Sequence, residues 1–141
     1  MSLSADDAGS ALADVLAAVV PVEIGDDGAL IVRYDDTVAS LRTVTIADGL
    51  EMISLTQVLA WDLPVSADLR KRVAAQANTT NLGTVGLLEQ PGKRAGERAG
   101  ERADVMLRYN FPSGGLGDQA LQTLVLMVLA GGAEVARALV G

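Results

Sequence analysis

Residues 103–111, Ala103-Asp104-Val105-Met106-Leu107-Arg108-Tyr109-Asn110-Phe111, alternate without a break. Val105, Leu107, Tyr109 and Phe111 fall on one side, and Met106, Arg108 and Asn110 on the other. That period of two is the spacing of a β-strand with one face turned to a core. Upstream, residues 82–90 carry Leu82, Val85, Leu87 and Leu88 and predict the strand that pairs with it. Between them the unit Gly-Glu-Arg-Ala recurs across 94–103. Glycine at every fourth position and like charges at Arg94, Arg98 and Arg102 disfavour a helix. Residues 91–103 therefore read as a long, mobile hairpin loop.

Further from this hairpin, Leu30, Val32 and Tyr34 alternate with Ile31 and Arg33 after the turn Gly25-Asp26-Asp27-Gly28. The β-branched stretch 39–47 predicts a second strand, and Asp48-Gly49 is a hairpin signal before a third over 51–61. In that third strand Ile53, Leu55, Leu59 and Trp61 share one face, and Met52, Ser54, Thr56 and Val58 the other. These three strands predict an antiparallel meander.

Three helices complete the pattern. Residues 5–20 place Leu12, Val15, Leu16 and Val19 on one face, with Asp6 and Asp7 suiting the positive N-terminal end and Pro21 ending the run. Ser66 is an N-cap for residues 67–79, where Leu69, Val73 and Ala77 make a narrow stripe and Arg70, Lys71 and Arg72 a solvated side. From Asp118 to Leu139 the apolar surface is wider than one core contact needs, with Leu121, Leu124, Val125 and Val128 on one face and Leu126 and Leu129 elsewhere. Gly131-Gly132 is expected to weaken or kink this helix. Its uncharged run 119–133 is too short for a membrane span. The expected fold is a single α+β domain over residues 1–141, a five-stranded antiparallel sheet in the order α-βββ-α-ββ-α.

Composition bounds the chemistry. The chain has 141 residues, half of them apolar, with one Trp, two Tyr and one Phe, so its core is aliphatic. It has neither cysteine nor histidine, which removes thiolate nucleophiles, Ser-His-Asp relays and the commonest transition-metal ligands. The absence of cysteine and the acidic start, where a signal peptide is basic, fit a cytoplasmic chain. The net charge is −7, and residues 1–62 hold 11 acids against 2 bases. Nucleic acid is not an expected partner, because phosphate binding needs a basic surface.

Candidate sites are few. Asp26/Asp27 and Asp35/Asp36 flank the first strand as carboxylate pairs, although aspartate is also favoured in turns and the EF-hand spacing is missing. Gly114-Gly115-Leu116-Gly117 precedes the last helix without the Lys and Ser/Thr of a phosphate loop and reads as a turn. Trp61 is either a core or rim residue of its strand or an interface anchor.

Around the middle helix, Leu63-Pro64 at its entry, Asn78 near its end and the Gly83–Leu88 strand resemble the YbjN family. So does Phe111-Pro112-Ser113-Gly114-Gly115-Leu116 before the last helix. The order of elements resembles type III secretion chaperones. That resemblance implies a chaperone-like fold and a small acidic homodimer that holds an extended segment of a client protein. No catalytic, cofactor-binding or metal-ligating residue is expected. The expected role is a non-catalytic protein-binding module, chaperone-like or regulatory, using Trp61, Leu69, Val73, Leu126 and Leu129. A small-molecule or divalent-metal-binding domain built on the acidic turns is the alternative.

Overall fold

The computed structural model describes residues 5–92 and 95–140, with side chains from residue 11 onward. The acids Asp6 and Asp7 and the repeat residue Arg94, singled out above, have side chains outside the described residues.

Helix α1 (Ala5–Ala17) is followed by strands β1 (Glu23–Ile24), β2 (Leu30–Tyr34), β3 (Thr37–Ala47) and β4 (Leu50–Pro64). Helix α2 (Ala67–Thr79), strands β5 (Thr84–Glu89) and β6 (Arg102–Pro112) and helix α3 (Asp118–Val140) complete the chain. The strands form one antiparallel sheet of six, in the order β1-β2-β3-β4-β6-β5.

The expected count of five misses β1. Two residues carry no alternation to read, and β1 exists because the Gly25–Gly28 turn folds Glu23 and Ile24 back onto Ile31 and Leu30. Gly25 N–H donates to the Ala29 carbonyl at 2.8 Å to close that turn. Helix α1 also stops earlier than expected. The Val19 and Val20 amides both return to the Leu16 carbonyl at 3.0 Å, so Val20 is buried and Val19 turns outward.

Helix α2 begins as its cap dictates, with Leu69 N–H donating to Ser66 Oγ at 3.0 Å. Its arginines do more than face solvent. Arg70 pairs with Glu89 at 2.7 Å, and Arg72 donates to the Leu139 carbonyl at 3.0 Å, placing a cation at the negative end of α3. The described part of the long β5–β6 loop is hydrogen-bonded on its return limb. Gly100 N–H reaches the Gln90 carbonyl at 2.9 Å and Val65 N–H the Glu101 carbonyl at 2.8 Å, while Arg102 and Ala103 already belong to β6.

Strand alternation divides the sheet into two faces. Leu30, Val32, Ala39, Leu41, Ile53, Leu55, Val85, Val105, Leu107 and Phe111 are buried on one of them. Helix α3 packs there against β2, β3 and β4, α2 against β5, and α1 against β3. The buried face of α3 runs from Leu121 through Val125, Val128 and Leu129 to Leu139. By length and composition α3 is apolar enough to cross a membrane, but it contributes this face to the core.

Helix α3 runs unbroken through Gly131-Gly132, contrary to the expected weakening. Gly132 is buried against β4, and a Cβ placed there would lie 2.0 Å from Gln57 Oε1. Gly131 meets nothing within 4 Å. Two adjacent glycines therefore respond oppositely to the same change. Gly131→Ala is expected to stabilise the protein by roughly 0.5–1 kcal/mol through helix propensity. Gly132→Ala is expected to destabilise it by about 1–3 kcal/mol through overpacking. Urea denaturation of the two variants checks both signs.

Candidate functional site: the uncovered face of the sheet

Among the described residues, no helix packs over the second face of the sheet. Cross-strand register builds it row by row. Arg33, Val38, Val58, Met106 and Gly86 lie across from one another, and the next row is Ile31, Ser40, Thr56, Arg108 and Thr84. None of Ile31, Val38, Val58 and Met106 packs against the core. They are only half buried, shielded by their neighbours in the sheet. An apolar row through the middle of a bare face, rimmed by Thr, Ser and Arg, has the layout of a protein-docking surface.

Two irregularities in β4 add to it. The pairing with β6 shifts between Val58 and Ala60 and again between Ala60 and Leu63, each shift inserting one extra residue into β4. As a result Ala60 and Leu63 both pack against the core, while Trp61 between them does not and is 49% exposed. Simple alternation placed Trp61 on the face of Leu55 and Leu59. The bulges turn it onto the uncovered side instead.

The second bulge is held by a polar cluster. Asp62 adopts a left-handed backbone, φ 53°, which aspartate tolerates better than most residues. Arg102 Nε donates to Asp62 Oδ1 at 2.7 Å and the Arg102 guanidinium to the Asp62 carbonyl. Asp104 Oδ1 accepts from Asp62 N–H and from Gln90 Nε2, each at 2.8 Å.

Beside Trp61, on the far side of β6, Gly86 has no side chain to fill the sheet surface. The result is a notch of about 190 Å³ lined by Thr84, Gly86, Leu87, Leu88, Met106 and Arg108. Leu88 at its edge is 44% exposed. Arg108 has no ion-pair partner among the described residues.

The other expected partner-binding residues lie elsewhere. Leu69, Val73 and Leu129 are buried in the chain's own core, and Leu126 is half buried against it. Met127, at 58%, is exposed in the middle of α3 beside a shallow groove formed with Ala120, Thr123 and Leu124, and Val140 is exposed at its end.

Sequence reading also missed Gln57, which sits fully buried among Ile53, Leu55 and Leu59. Gln57 Nε2 donates to Thr37 Oγ1 at 2.8 Å and to the Leu129 carbonyl at 3.1 Å, and Thr37 Oγ1 donates to the Tyr34 carbonyl at 2.6 Å. Gln57 Oε1 has no hydrogen-bond donor. The Gly132 hydrogen that stands in the Cβ direction points at it. The signal in the sequence was a polar residue at a core-facing position of the strand.

The two acidic turns lie at opposite ends of β2, roughly 17 Å apart for five strand residues. Among the described residues, no three acids gather as a metal site would require. Asp27 accepts from the Ala29 amide at 3.2 Å and from the Arg42 guanidinium. Those two contacts, the backbone one first, hold its carboxyl below the ordinary aspartate value. Asp35, at φ 50°, pairs with Arg137 at 2.9 Å beside a cavity of about 350 Å³ whose floor is apolar, with Leu59, Ala133, Ala136 and Val140. The glycine segment before α3 is a turn, with Leu116 N–H returning to the Ser113 carbonyl at 3.3 Å.

No family model, curated protein or solved structure matches the chain.

A depressed carboxyl pKa stabilises the fold above the unfolded value, and that contribution is lost as pH falls through the folded one. The melting-temperature difference between the wild type and Asp27→Asn is therefore expected to be largest at neutral pH and to close below pH 4, roughly the aspartate range. Millimolar calcium is expected to leave the wild-type melting curve unmoved, because the two acidic turns are too far apart to share an ion.

Proposed function

We propose that this chain is a non-catalytic protein-binding module, chaperone-like or regulatory, whose docking surface is the uncovered face of the sheet. The observation that carries the reading is the row Val38–Val58–Met106, an apolar line across three adjacent strands that does not pack on the core. Trp61 and Arg108 beside it are residue types that concentrate binding energy at interfaces. The polar residues around the row, Ser40, Thr56 and Thr84, supply the rim that water reaches.

Chaperone-like and regulatory roles both require reversible capture of a protein segment. A rigid six-stranded platform suits either, because a preformed surface loses little entropy on binding. The chemistry of the face suits contact: apolar side chains and hydroxyls, with arginines and carboxylates that pair with one another.

A peptide library panned against the immobilised protein tests the reading. Peptides enriched on the wild type are expected to lose at least about tenfold in affinity on Val58→Arg, roughly 1.4 kcal/mol or more. The variant is expected to melt within a few degrees of the wild type, since Val58 stands outside the core. No enrichment, or peptides that bind the variant equally well, would contradict it.

A further inference from the structure

The uncovered face carries information about what covers it. Trp61 projects from the face, and the notch at Gly86 is sunk into it, separated by the single strand β6. Adjacent strands are about 4.8 Å apart, so knob and hole lie on the order of 10 Å from each other. A projection and a depression side by side on one surface satisfy a two-fold interface, in which each copy offers the same patch and each projection enters the other's depression.

Electrostatics restricts where such a contact can form. The molecule carries −7, so two copies repel through most of their surface. On this face the balance differs. Arg33, Arg42 and Arg108 stand with Glu23, Asp27 and Asp104; Arg33 is 3.5 Å from Glu23, and Arg42 is ion-paired with Asp27. Among the described residues these three bases meet three acids, and other acids lie in turns, Asp26, Asp35, Asp36 and Asp48, or on the helices, Asp68, Asp118 and Glu134. The bare face is the part of the sheet that two acidic copies can bring together without a charge penalty.

Its area is sufficient. Six strands at about 4.8 Å spacing and about six residues of paired length give a footprint near 25 Å by 20 Å, about 500 Å² per copy. Two copies together bury about 1,000 Å², the floor for a biological interface and the size of a weak, reversible one.

We infer that the occupant of this face is a second copy of the chain, docked face to face with Trp61 of each copy seated in the notch at Gly86 of the other. The inference rests on the reading of the face as a protein-docking surface and narrows it to one partner.

Trp61 is the sole tryptophan, so emission excited at the red edge of the indole band, where the two tyrosines do not absorb, reports this residue alone. From low micromolar to several hundred micromolar protein, emission is expected to move to shorter wavelength and acrylamide quenching to fall. Both changes should share the midpoint at which sedimentation reports a doubled mass. Gly86→Leu fills the notch at a position where a Cβ meets nothing within 4 Å, so the fold tolerates it. This variant is expected to weaken the dimer by at least about tenfold with the melting temperature retained. A strict monomer throughout, a dimer in which Trp61 stays equally quenchable, or a Gly86→Leu dimer as tight as the wild type would each overturn the inference. Any of these beside Val58-dependent peptide binding leaves the docking surface standing without the second copy; peptide binding indifferent to Val58→Arg removes both.

Discussion

The close approach of α3 to β4 decides which face of the sheet becomes core and which stays bare. At its centre the Gln57 amide lies against the backbone of Gly132, with no side chain between helix and strand. Its two donated hydrogen bonds, to Thr37 and to the Leu129 carbonyl, tie β4, β3 and α3 together at one point. A buried acceptor left without a donor costs on the order of 1–3 kcal/mol, so the site is stable only while both donations and the tight helix contact persist. Reversing the amide would set Oε1 against the Leu129 carbonyl, acceptor against acceptor, and the orientation is fixed accordingly.

Once α3 is fixed there, the rest of the architecture follows. Leu121, Val125, Val128 and Leu129 fill the covered face, α1 joins it through Leu12 and Leu16, and α2 closes the β5 end through Leu69 and Val73. Gln122 Nε2 donates to the Val15 carbonyl at 2.8 Å, joining α1 to α3. Helices on one side only leave the other side of a six-stranded sheet to solvent, as antiparallel sheets allow. What distinguishes this sheet is that its bare side is apolar along its middle row, where solvent would favour polar residues. The bulges in β4 then add Trp61 to that side, and Gly86 opens a depression near it.

Much of this was legible in the sequence. Ser66 marked the start of α2 to the residue, the strict alternation of 103–111 gave β6 within a residue at each end, and Asp48-Gly49 gave the β3–β4 hairpin, with Gly49 at φ 76°. Three features were not legible, each for a physical reason. A strand of two residues has no period. The bulges lie in Val58-Leu59-Ala60-Trp61-Asp62-Leu63, which contains no glycine or proline to announce them, and the second is held by the distant pairing of Asp62 with Arg102. Gly132 reads as a helix weakener until its neighbour across the core is known. The apolar surplus of the chain was visible at once, but periodicity assigned most of it to the helices, with Trp61 the one strand residue among the expected contacts. The fold places Leu69, Val73 and Leu129 inside and leaves the surplus on the sheet.

Because the chain has no cysteine, one introduced at Val58 gives a direct test of the bare face as a docking surface, with a second at Asp48 in the β3–β4 turn as reference. Maleimide labelling rates are measured on dilute protein, then with the face occupied by a selected peptide or by raised protein concentration. Rapid labelling is expected at both positions when dilute, with selective protection of position 58 on occupancy. Equal labelling of both positions under every condition, or position 58 already unreactive in the dilute protein, would contradict it.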